Sequence, residues 1–179
     1  MFSNNFATEI AADIIEKLKD DCEKIQIVGS LRRGKPSVND IDIIVIPKFE
    51  ETKEDTLFGE PVKENLLDRK LSELCLDAHL ILEANGSKIK RFFRPIQKVN
   101  VPIDLYIATE TTWWNLLLIR TGSREHNIKL ASRALELHMQ LKADGSGLLT
   151  PGGTIMQIHS EEEIFQHLKL PFRLPEERE

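Results

Sequence analysis

Hydrophobic and polar positions along the chain follow two periods. Apolar residues that recur every three or four positions predict amphipathic helices over residues 6–18, 62–76 and 124–141, and residues 112–120 predict an apolar helix. Short apolar runs rich in β-branched residues predict strands over residues 25–28, 41–46, 78–83, 88–94 and 99–108. Because these strands and helices alternate without a regular strand–helix–strand rhythm, we expect an α+β fold rather than a doubly wound parallel sheet.

Turn and cap residues mark the ends of several elements. Asn85-Gly86 predicts a tight hairpin turn, since both central residues of such a turn need a positive φ. Residues 48–59 are acidic and polar without a period, which predicts a loop. Ser160 and Glu163 have the spacing of a capping box, in which the serine accepts a hydrogen bond from an unpaired backbone N–H group of the first helical turn. They predict that a last helix begins after Ser160.

Composition indicates a compact protein. The length of 179 residues predicts one domain or two small lobes that share a core. Hydrophobic residues make up 41% of the chain. The two cysteines, Cys22 and Cys75, are too few for a disulfide scaffold, which favours reduced thiols. The apolar runs are shorter than the ~18–20 residues of a membrane span. We therefore expect a soluble intracellular protein without a membrane partner, in the cytoplasm of a prokaryotic or viral host or in a nucleus.

Charged residues are unevenly distributed. The net charge of −5 and the pI of about 5.6 argue against a uniformly basic nucleic-acid binder. Residues 50–77 have a net charge of −5, whereas residues 78–101 have +4 and residues 112–143 have +3. The basic segments form either a face for a polyanion or dispersed, solvated charge. The candidate contacts on such a face are Lys88, Lys90, Arg91, Arg94, Arg120, Arg124, Lys129 and Arg133.

Two carboxylates lie at the start of the strand predicted over residues 41–46. Asp40 and Asp42 are two residues apart, so both side chains leave the same face, while Ile41 and Ile43 point into the core. Such neighbours raise each other's pKa unless a cation lies between them. Carboxylate oxygens suit Mg²⁺, which keeps several waters and shares its coordination with substrate phosphates.

A turn suited to phosphate precedes these carboxylates. Gly29 lets backbone N–H groups approach a phosphate closely, and the Ser30 hydroxyl adds a donor. Arg33 can hold further phosphates with its forked guanidinium, and Asn39 is an additional candidate for nucleotide contact. Each signal is common by itself, but their joint occurrence between two strands predicts a nucleotidyl-transfer site.

At these residues the sequence resembles the palm of the polymerase-β-like (family X) DNA polymerases, within the nucleotidyltransferase superfamily. Asp104, on the strand predicted over residues 99–108, matches the third metal carboxylate of the family. Thr121-Gly122-Ser123 followed by Asn127 resembles its segment for nucleotide sugar and base, in which the Gly-Ser bond can be cis. The resemblance extends over residues 23–179, including the C-terminal tail.

The resemblance implies a function and a domain arrangement. Asp40, Asp42 and Asp104 would hold two Mg²⁺ ions, with Mn²⁺ as a substitute, and catalyse addition of a dNTP to a DNA primer/template or gapped DNA. The expected role is gap-filling repair synthesis by a monomer. We expect a palm with a mixed sheet and flanking helices over residues 1–118 and a small helical/β thumb over residues 119–179. Lyase and fingers domains are expected to be absent, as in a minimal form known from a large DNA virus.

Two departures from the family pattern affect these expectations. Ile119-Arg120 stands where the family usually has aromatic residues against the sugar, which predicts weaker discrimination against ribonucleotides. Two other roles of Arg120 stay open, an ion pair with a phosphate and capping of its own helix. Pro102 replaces an arginine that positions the third carboxylate in many members, and Arg94 or Lys98 is the expected substitute. Two other functions stay open: a nucleotidyltransferase that acts on RNA, a protein or a small molecule, and a non-catalytic binding module.

Overall fold

The structure is a computed structural model that describes residues 1–52 and 62–179. The strands in these ranges are β1 (Phe2–Ser3), β2 (Cys22–Ile27), β3 (Ser37–Val38), β4 (Ile41–Pro47), β5 (Phe49–Thr52), β6 (Val62–Asn65), β7 (Ile81–Asn85), β8 (Ile89–Ile96), β9 (Val99–Ile107), β10 (Gln140–Leu141) and β11 (Leu148–Leu149). The α-helices are α1 (Asn4–Leu18), α2 (Gly29–Arg32), α3 (Leu66–Leu76), α4 (Trp113–Thr121), α5 (Arg124–Glu136) and α6 (Glu161–His167). Short 3₁₀ helices cover Lys19–Asp21 and Pro175–Glu177. No helix within these two ranges is long and apolar enough to cross a membrane.

Five strands form one mixed sheet in the order β2-β4-β9-β8-β7. β4 and β9 are parallel neighbours at its centre, and the other neighbouring pairs are antiparallel. The turn that contains Asn85 and Gly86 joins β7 to β8, and the Gly86 N–H donates to the Ile89 carbonyl at 2.9 Å. With helices packed on both faces of this sheet, the predicted α+β class is confirmed.

Two helices cover one face of the sheet. The alternation of β4 and β9 places Ile43 and Leu105 on this face, where they pack with Ile14 of α1 and Leu71 of α3. All four side chains are buried. This apolar face holds the central strands in register and leaves their opposite face to other side chains.

Helix α4 covers part of the opposite face and also joins a second core. Leu116 and Leu117 pack with Ile44 of the sheet, whereas Leu118 packs with Phe165 among residues of α5, α6 and the β10–β11 hairpin. The expected boundary between the palm, residues 1–118, and the thumb, residues 119–179, lies inside this helix and stays a prediction.

Three segments differ from the sequence-based predictions. β5 falls within the expected loop over residues 48–59 and pairs with β6, which occupies the start of the expected helix over residues 62–76. The rest of that loop, residues 53–61, lies outside the described residues. α5 ends at Glu136, five residues earlier than expected.

Local interactions explain these differences. β5 and β6 consist largely of polar residues, so no apolar period marks them as strands. α3 begins after Asn65 because that side chain caps it, accepting a hydrogen bond from the Asp68 N–H at 3.3 Å. α5 ends because His138 adopts a φ of +57°, which turns the chain into the β10–β11 hairpin.

Candidate active site

The two central strands bring carboxylates together. In the parallel register of β4 and β9, Asp42 is the direct partner of Asp104. The two side chains therefore leave the same face, at about the 4.8 Å separation of neighbouring strands. Asp40 lies immediately before β4, close enough for its charge to act on Asp42. The structure thus gathers the three carboxylates that the sequence selects.

Crowding alters the proton affinity of these carboxylates. Burial, followed by the charges of Asp40 and Asp104, raises the pKa of Asp42 to about 7. Burial and then the charge of Asp104 also raise the pKa of Asp40. A cation beside the carboxylates would favour their charged forms. The protein by itself leaves this negative charge incompletely balanced.

A tyrosine outside the sequence-based predictions connects two of the carboxylates. The Tyr106 hydroxyl donates toward Asp42 Oδ1, at 3.2 Å, and Asp104 Oδ2, at 3.3 Å. Burial, and then the charge of Asp42, raise the pKa of Tyr106, so the hydroxyl keeps its proton. The sequence contained the signal, because Asp104 and Tyr106 are two residues apart on one strand and must share a face.

The turn after β2 fits closely against Asp42. Gly29 has a φ of +65°, and a Cβ at this position would overlap the Asp42 carboxylate. Glycine is therefore required both by the backbone conformation and by the space available. The Val28 N–H donates to the Asp42 carbonyl at 2.9 Å, which fastens the turn to β4. Ser30 follows in the first turn of α2 and lines the same cleft.

Arg33 connects this turn to the segment after α4. Its guanidinium donates to the main-chain carbonyl of Thr121 and lies against Gly122. The Gly122–Ser123 peptide bond is cis, as the family resemblance implies. Arg33 therefore has contacts with both halves of the nucleotide site proposed from the sequence.

Ser123 and Asn127 stabilise the same segment. The Ser123 hydroxyl accepts a hydrogen bond from the His126 N–H at 3.2 Å and thereby caps α5. The Asn127 side chain donates to the Ile119 carbonyl at 2.8 Å. These contacts hold the end of α4 and the start of α5 in a fixed arrangement beside the carboxylates.

A cleft of about 650 Å³ opens at this place. Its volume is in the range of small-molecule sites, about 300–1,000 Å³. The sequence-selected residues that line it are Gly29, Ser30, Arg33, Asn39, Asp40, Asp42, Arg120, Gly122, Arg124 and Asn127. Asp104, Thr121 and Ser123 adjoin these residues without lining the cleft.

Two basic residues assigned to a polyanion-binding face are turned toward the protein instead. Lys90 is 5% exposed, and its ammonium is 2.6 Å from Asp68 of α3. Arg94 donates to the His79 carbonyl at 2.8 Å and lies 3.3 Å from Asp13 of α1. Both belong to the face of β8 that α1 and α3 cover. We therefore remove Lys90 and Arg94 from the expected basic face.

The remaining basic residues differ in their contacts. Main-chain carbonyls accept hydrogen bonds from Lys129 at 3.2 Å and from Arg133 at 3.0 Å. Lys88 is exposed and lies 3.3 Å from Asp144. Arg124 is exposed at the wall of the cleft. A basic surface for a polyanion is consequently smaller than the sequence indicates.

Arg91, rather than Arg94 or Lys98, lies beside the Asp104 carboxylate. Its register partner across β8 and β9 is Asp104, and its Nε is 3.3 Å from Asp104 Oδ1. Arg94 pairs with Asp13 instead. The expectation that Arg94 or Lys98 compensates for Pro102 is therefore corrected to Arg91.

A buried cluster of charges connects the turn after β2 to the C-terminal residues. Glu161 forms ion pairs with Arg32 and Arg178, and in each pair the nitrogen–oxygen distance is 2.6 Å. The Arg178 side chain is fully buried. Burial by itself raises the pKa of Glu161, but the hydrogen bonds from both arginines outweigh it, so the pKa lies below its usual value. This cluster holds α2, which carries Ser30, against α6.

The donor set at the acidic cluster suits a hard divalent cation. Asp40, Asp42 and Asp104 offer the carboxylate oxygens that Mg²⁺ prefers. Across residues 1–52 and 62–179, however, no three Asp, Glu, His or Cys side chains converge closely enough to hold an ion by themselves. The carboxylates therefore fit a cation that water and a substrate phosphate help to coordinate.

Comparison with known proteins agrees with this geometry. The family model for the DNA polymerase beta palm matches residues 4–101, and the model for the DNA polymerase beta thumb matches residues 116–179. The chain is 27% identical over 180 residues to the "DNA polymerase/3'-5' exonuclease PolX" of Bacillus subtilis (strain 168). That match covers 99% of this chain but 28% of the relative, so the chain spans less than a third of the relative's length. The chain belongs to the polymerase-β-like DNA polymerases, family X.

Proposed function

We propose that this chain is a template-directed DNA polymerase that adds nucleotides to a DNA 3′-hydroxyl and releases pyrophosphate, in gap-filling repair synthesis. One observation carries the proposal: Asp42 and Asp104 lie side by side at a cleft whose wall includes Ser30 and Arg33. Family membership supports a dependence on divalent metal ions in general. We propose two Mg²⁺ ions, for which Mn²⁺ can substitute.

The acidic cluster would provide the metal ligands. Asp40 and Asp42 would hold both ions, and Asp104 would share one of them. The bound ions would lower the pKa of the primer 3′-hydroxyl and neutralise charge on the triphosphate. Since ligation requires charged carboxylates, ions and protons compete for Asp42, whose pKa is about 7 in the metal-free protein.

The turn after β2 would bind the triphosphate. The Ser30 hydroxyl is a donor at the cleft, with Gly29 allowing a close backbone approach and Asn39 adding an amide. Arg33 uses part of its guanidinium for the Thr121 carbonyl and also lines the cleft, where its other terminal N–H groups would donate to phosphate oxygens. In this arrangement a single arginine would couple triphosphate binding to the segment after α4.

The segment after α4 would contact the nucleotide sugar and base. Gly122 lines the cleft between Thr121 and Ser123, and Asn127 of α5 donates to the Ile119 carbonyl just before them. DNA phosphates would meet exposed basic residues such as Arg124 and Lys88, whereas Arg91 is engaged with Asp104. Positioning and charge stabilisation would supply most of the rate acceleration.

A second candidate function is nucleotidyl transfer to RNA, a protein or a small molecule. It is favoured by the burial of Lys90 and by the partners of Arg94, because both reduce the basic surface available to DNA. Both candidates use the same carboxylates and differ in the acceptor. The acceptor is therefore what an experiment must identify.

Primer extension tests the proposal directly. Each dNTP and rNTP is offered on gapped, recessed and single-stranded DNA, with and without Mg²⁺. Templated incorporation that requires Mg²⁺ is expected. Asp104→Asn should reduce turnover by orders of magnitude, whereas Asp77→Asn, the same change at an exposed position outside the cleft, should not.

Two results would contradict this assignment. Near-normal incorporation by a folded Asp104→Asn protein would remove Asp104 from the metal site. Absence of incorporation on every DNA substrate, together with labelling of RNA, protein or a small molecule, would establish the second candidate instead.

A further inference from the structure

Tyr106 is the only tyrosine of the chain, and its hydroxyl lies between two of the carboxylates. The phenolic oxygen lies at nearly equal distances from Asp42 Oδ1 and Asp104 Oδ2, 3.2 and 3.3 Å, and carries one proton to donate between them. Two like charges on adjacent strands repel each other, and a shared donor lowers the free energy of keeping them together.

The second oxygen of each carboxylate is fixed as well. Asp104 Oδ1 lies 3.3 Å from Arg91 Nε. Asp42 Oδ2 lies against Gly29, so closely that any larger residue at position 29 would overlap it. One oxygen of each carboxylate faces Tyr106, and the other lies against Arg91 or Gly29. Neither carboxylate can therefore rotate freely.

The tyrosine ring is itself held in place. It packs in the apolar cluster with Ile44 and Trp113 and is 8% exposed. The Arg120 guanidinium stacks over its outer face, 4.2 Å from the ring centroid. The phenolic oxygen moves only with its ring, so a fixed ring fixes that oxygen relative to both carboxylates.

We infer that Tyr106 is a positioning residue for divalent-cation binding: its hydroxyl holds Asp42 and Asp104 in the arrangement that a shared cation requires, and Arg120 holds the Tyr106 ring by stacking. The inference rests on the proposed function, since it needs a cation at these carboxylates. It assigns to Arg120 a role other than contact with the nucleotide sugar.

Hydrogen-bond partners of metal ligands commonly alter metal affinity about 10- to 100-fold when they are removed. Tyr106→Phe keeps the ring and its stacking on Arg120 and removes only the hydroxyl. We expect this variant to bind Mn²⁺, used alone and measured as free Mn²⁺ by electron paramagnetic resonance, about 10- to 100-fold more weakly than the wild type. In primer extension the Mg²⁺ concentration for half-maximal rate should rise, while kcat at saturating Mg²⁺ should change little.

Arg120 has a matched control in the same cleft. Arg120→Gln and Arg124→Gln remove the same charge, but Arg120 alone stacks on Tyr106. Arg120→Gln should bind Mn²⁺ more weakly than the wild type, because the Tyr106 ring loses its stacking partner. Arg124→Gln should bind Mn²⁺ with the wild-type affinity. Equal changes in the two variants would overturn the role of stacking and leave only the loss of charge.

A single tyrosine also provides a direct signal. In protein labelled with ¹³C-tyrosine, the one Cζ resonance should shift as Mg²⁺ is added to the wild type, because its hydrogen-bond acceptors bind the cation. An unmoved resonance in protein that binds Mn²⁺ would overturn the inference, and this measurement decides the matter even where Tyr106→Phe fails to fold.

The outcomes separate this inference from the proposed function. Wild-type protein that binds no Mn²⁺ would overturn both. Wild-type protein that binds Mn²⁺ as tightly as, or more weakly than, folded Tyr106→Phe would overturn the positioning role and leave the proposed metal site intact. Weaker binding by Tyr106→Phe together with the resonance shift would support both.

Discussion

Replacing Asp42 by asparagine should stabilise the metal-free protein at high pH. Its surroundings, first burial and then Asp40 and Asp104, raise the pKa of Asp42 from 3.8 to about 7. The folded protein therefore retains a proton that the unfolded chain releases near pH 4. An asparagine amide keeps the shape of the side chain and an acceptor for Tyr106, but it carries no charge to be buried.

The magnitude follows from the pKa of Asp42, which burial and then the charges of Asp40 and Asp104 raise from 3.8 to about 7. Each pKa unit corresponds to about 1.4 kcal/mol, so the charged carboxylate costs the folded state about 4 kcal/mol. Below about pH 4 both states are protonated and the cost is absent. From about pH 4 to pH 7 the unfolded state binds fewer protons than the folded state, so stability falls as pH rises. Above about pH 7 the full cost persists.

Urea unfolding in EDTA measures this difference. Asp42→Asn should exceed the wild type in free energy of unfolding by about 2 kcal/mol at pH 5 and by about 4 kcal/mol at pH 8. Asp77→Asn, at an exposed carboxyl, controls for the loss of one negative charge. Added Mg²⁺ should stabilise the wild type at pH 8 more than it stabilises Asp42→Asn.

Two results would refute this reasoning. If Asp42→Asn were less stable than the wild type at pH 8, the carboxylate would stabilise the fold rather than strain it. If the difference between the two proteins were the same at pH 5 and pH 8, the pKa of Asp42 would not be raised by folding.

Three further predictions concern other parts of the chain. Glu161→Gln should lower the free energy of unfolding in urea by about 3–5 kcal/mol, because the buried Arg178 and the half-buried Arg32 lose their counter-charge. The exposed control Glu162→Gln should change it by less than about 0.5 kcal/mol, and equal losses would contradict the role of the cluster. DNA affinity should fall by about 0.9 log units per log unit of salt for each phosphate contact, and Arg124→Gln should remove one contact from that slope; a flat dependence would favour a small-molecule acceptor. In primer extension, Arg120→Phe should raise the dNTP/rNTP efficiency ratio and Arg120→Ala should leave it low. A wild-type ratio above about 10³, roughly 4 kcal/mol, would assign the choice of sugar to the backbone.

The faces of the central strands were predictable because they follow from alternation alone. Ile43 and Leu105 had to be buried, and Asp42 and Asp104 had to leave the other face. The same rule applied to the strand predicted over residues 88–94 separates Arg91 from Lys90 and Arg94. The net charge of a segment does not distinguish the two faces of a strand. The number of basic residues on the expected polyanion-binding face was therefore overestimated.

Contacts across the sheet were not predictable from local pattern. The pairing of Arg91 with Asp104 depends on the register of β8 against β9, and register is set by packing of the whole sheet. The contact between Arg32 and Glu161 joins residues 129 positions apart, and neither carries a local signal for the other. The β5–β6 pair escaped prediction because its polar residues have no apolar face to mark them.

Consecutive residues of α4 belong to different cores. Leu116 and Leu117 pack against the sheet, and Leu118 packs against Phe165 in the C-terminal core. Neither core can come apart without displacing this one helix of 9 residues. Heating or denaturant should therefore unfold the chain in a single cooperative transition rather than in two independent steps. A cavity made at Phe165 would for that reason also lower the stability of the carboxylate cleft.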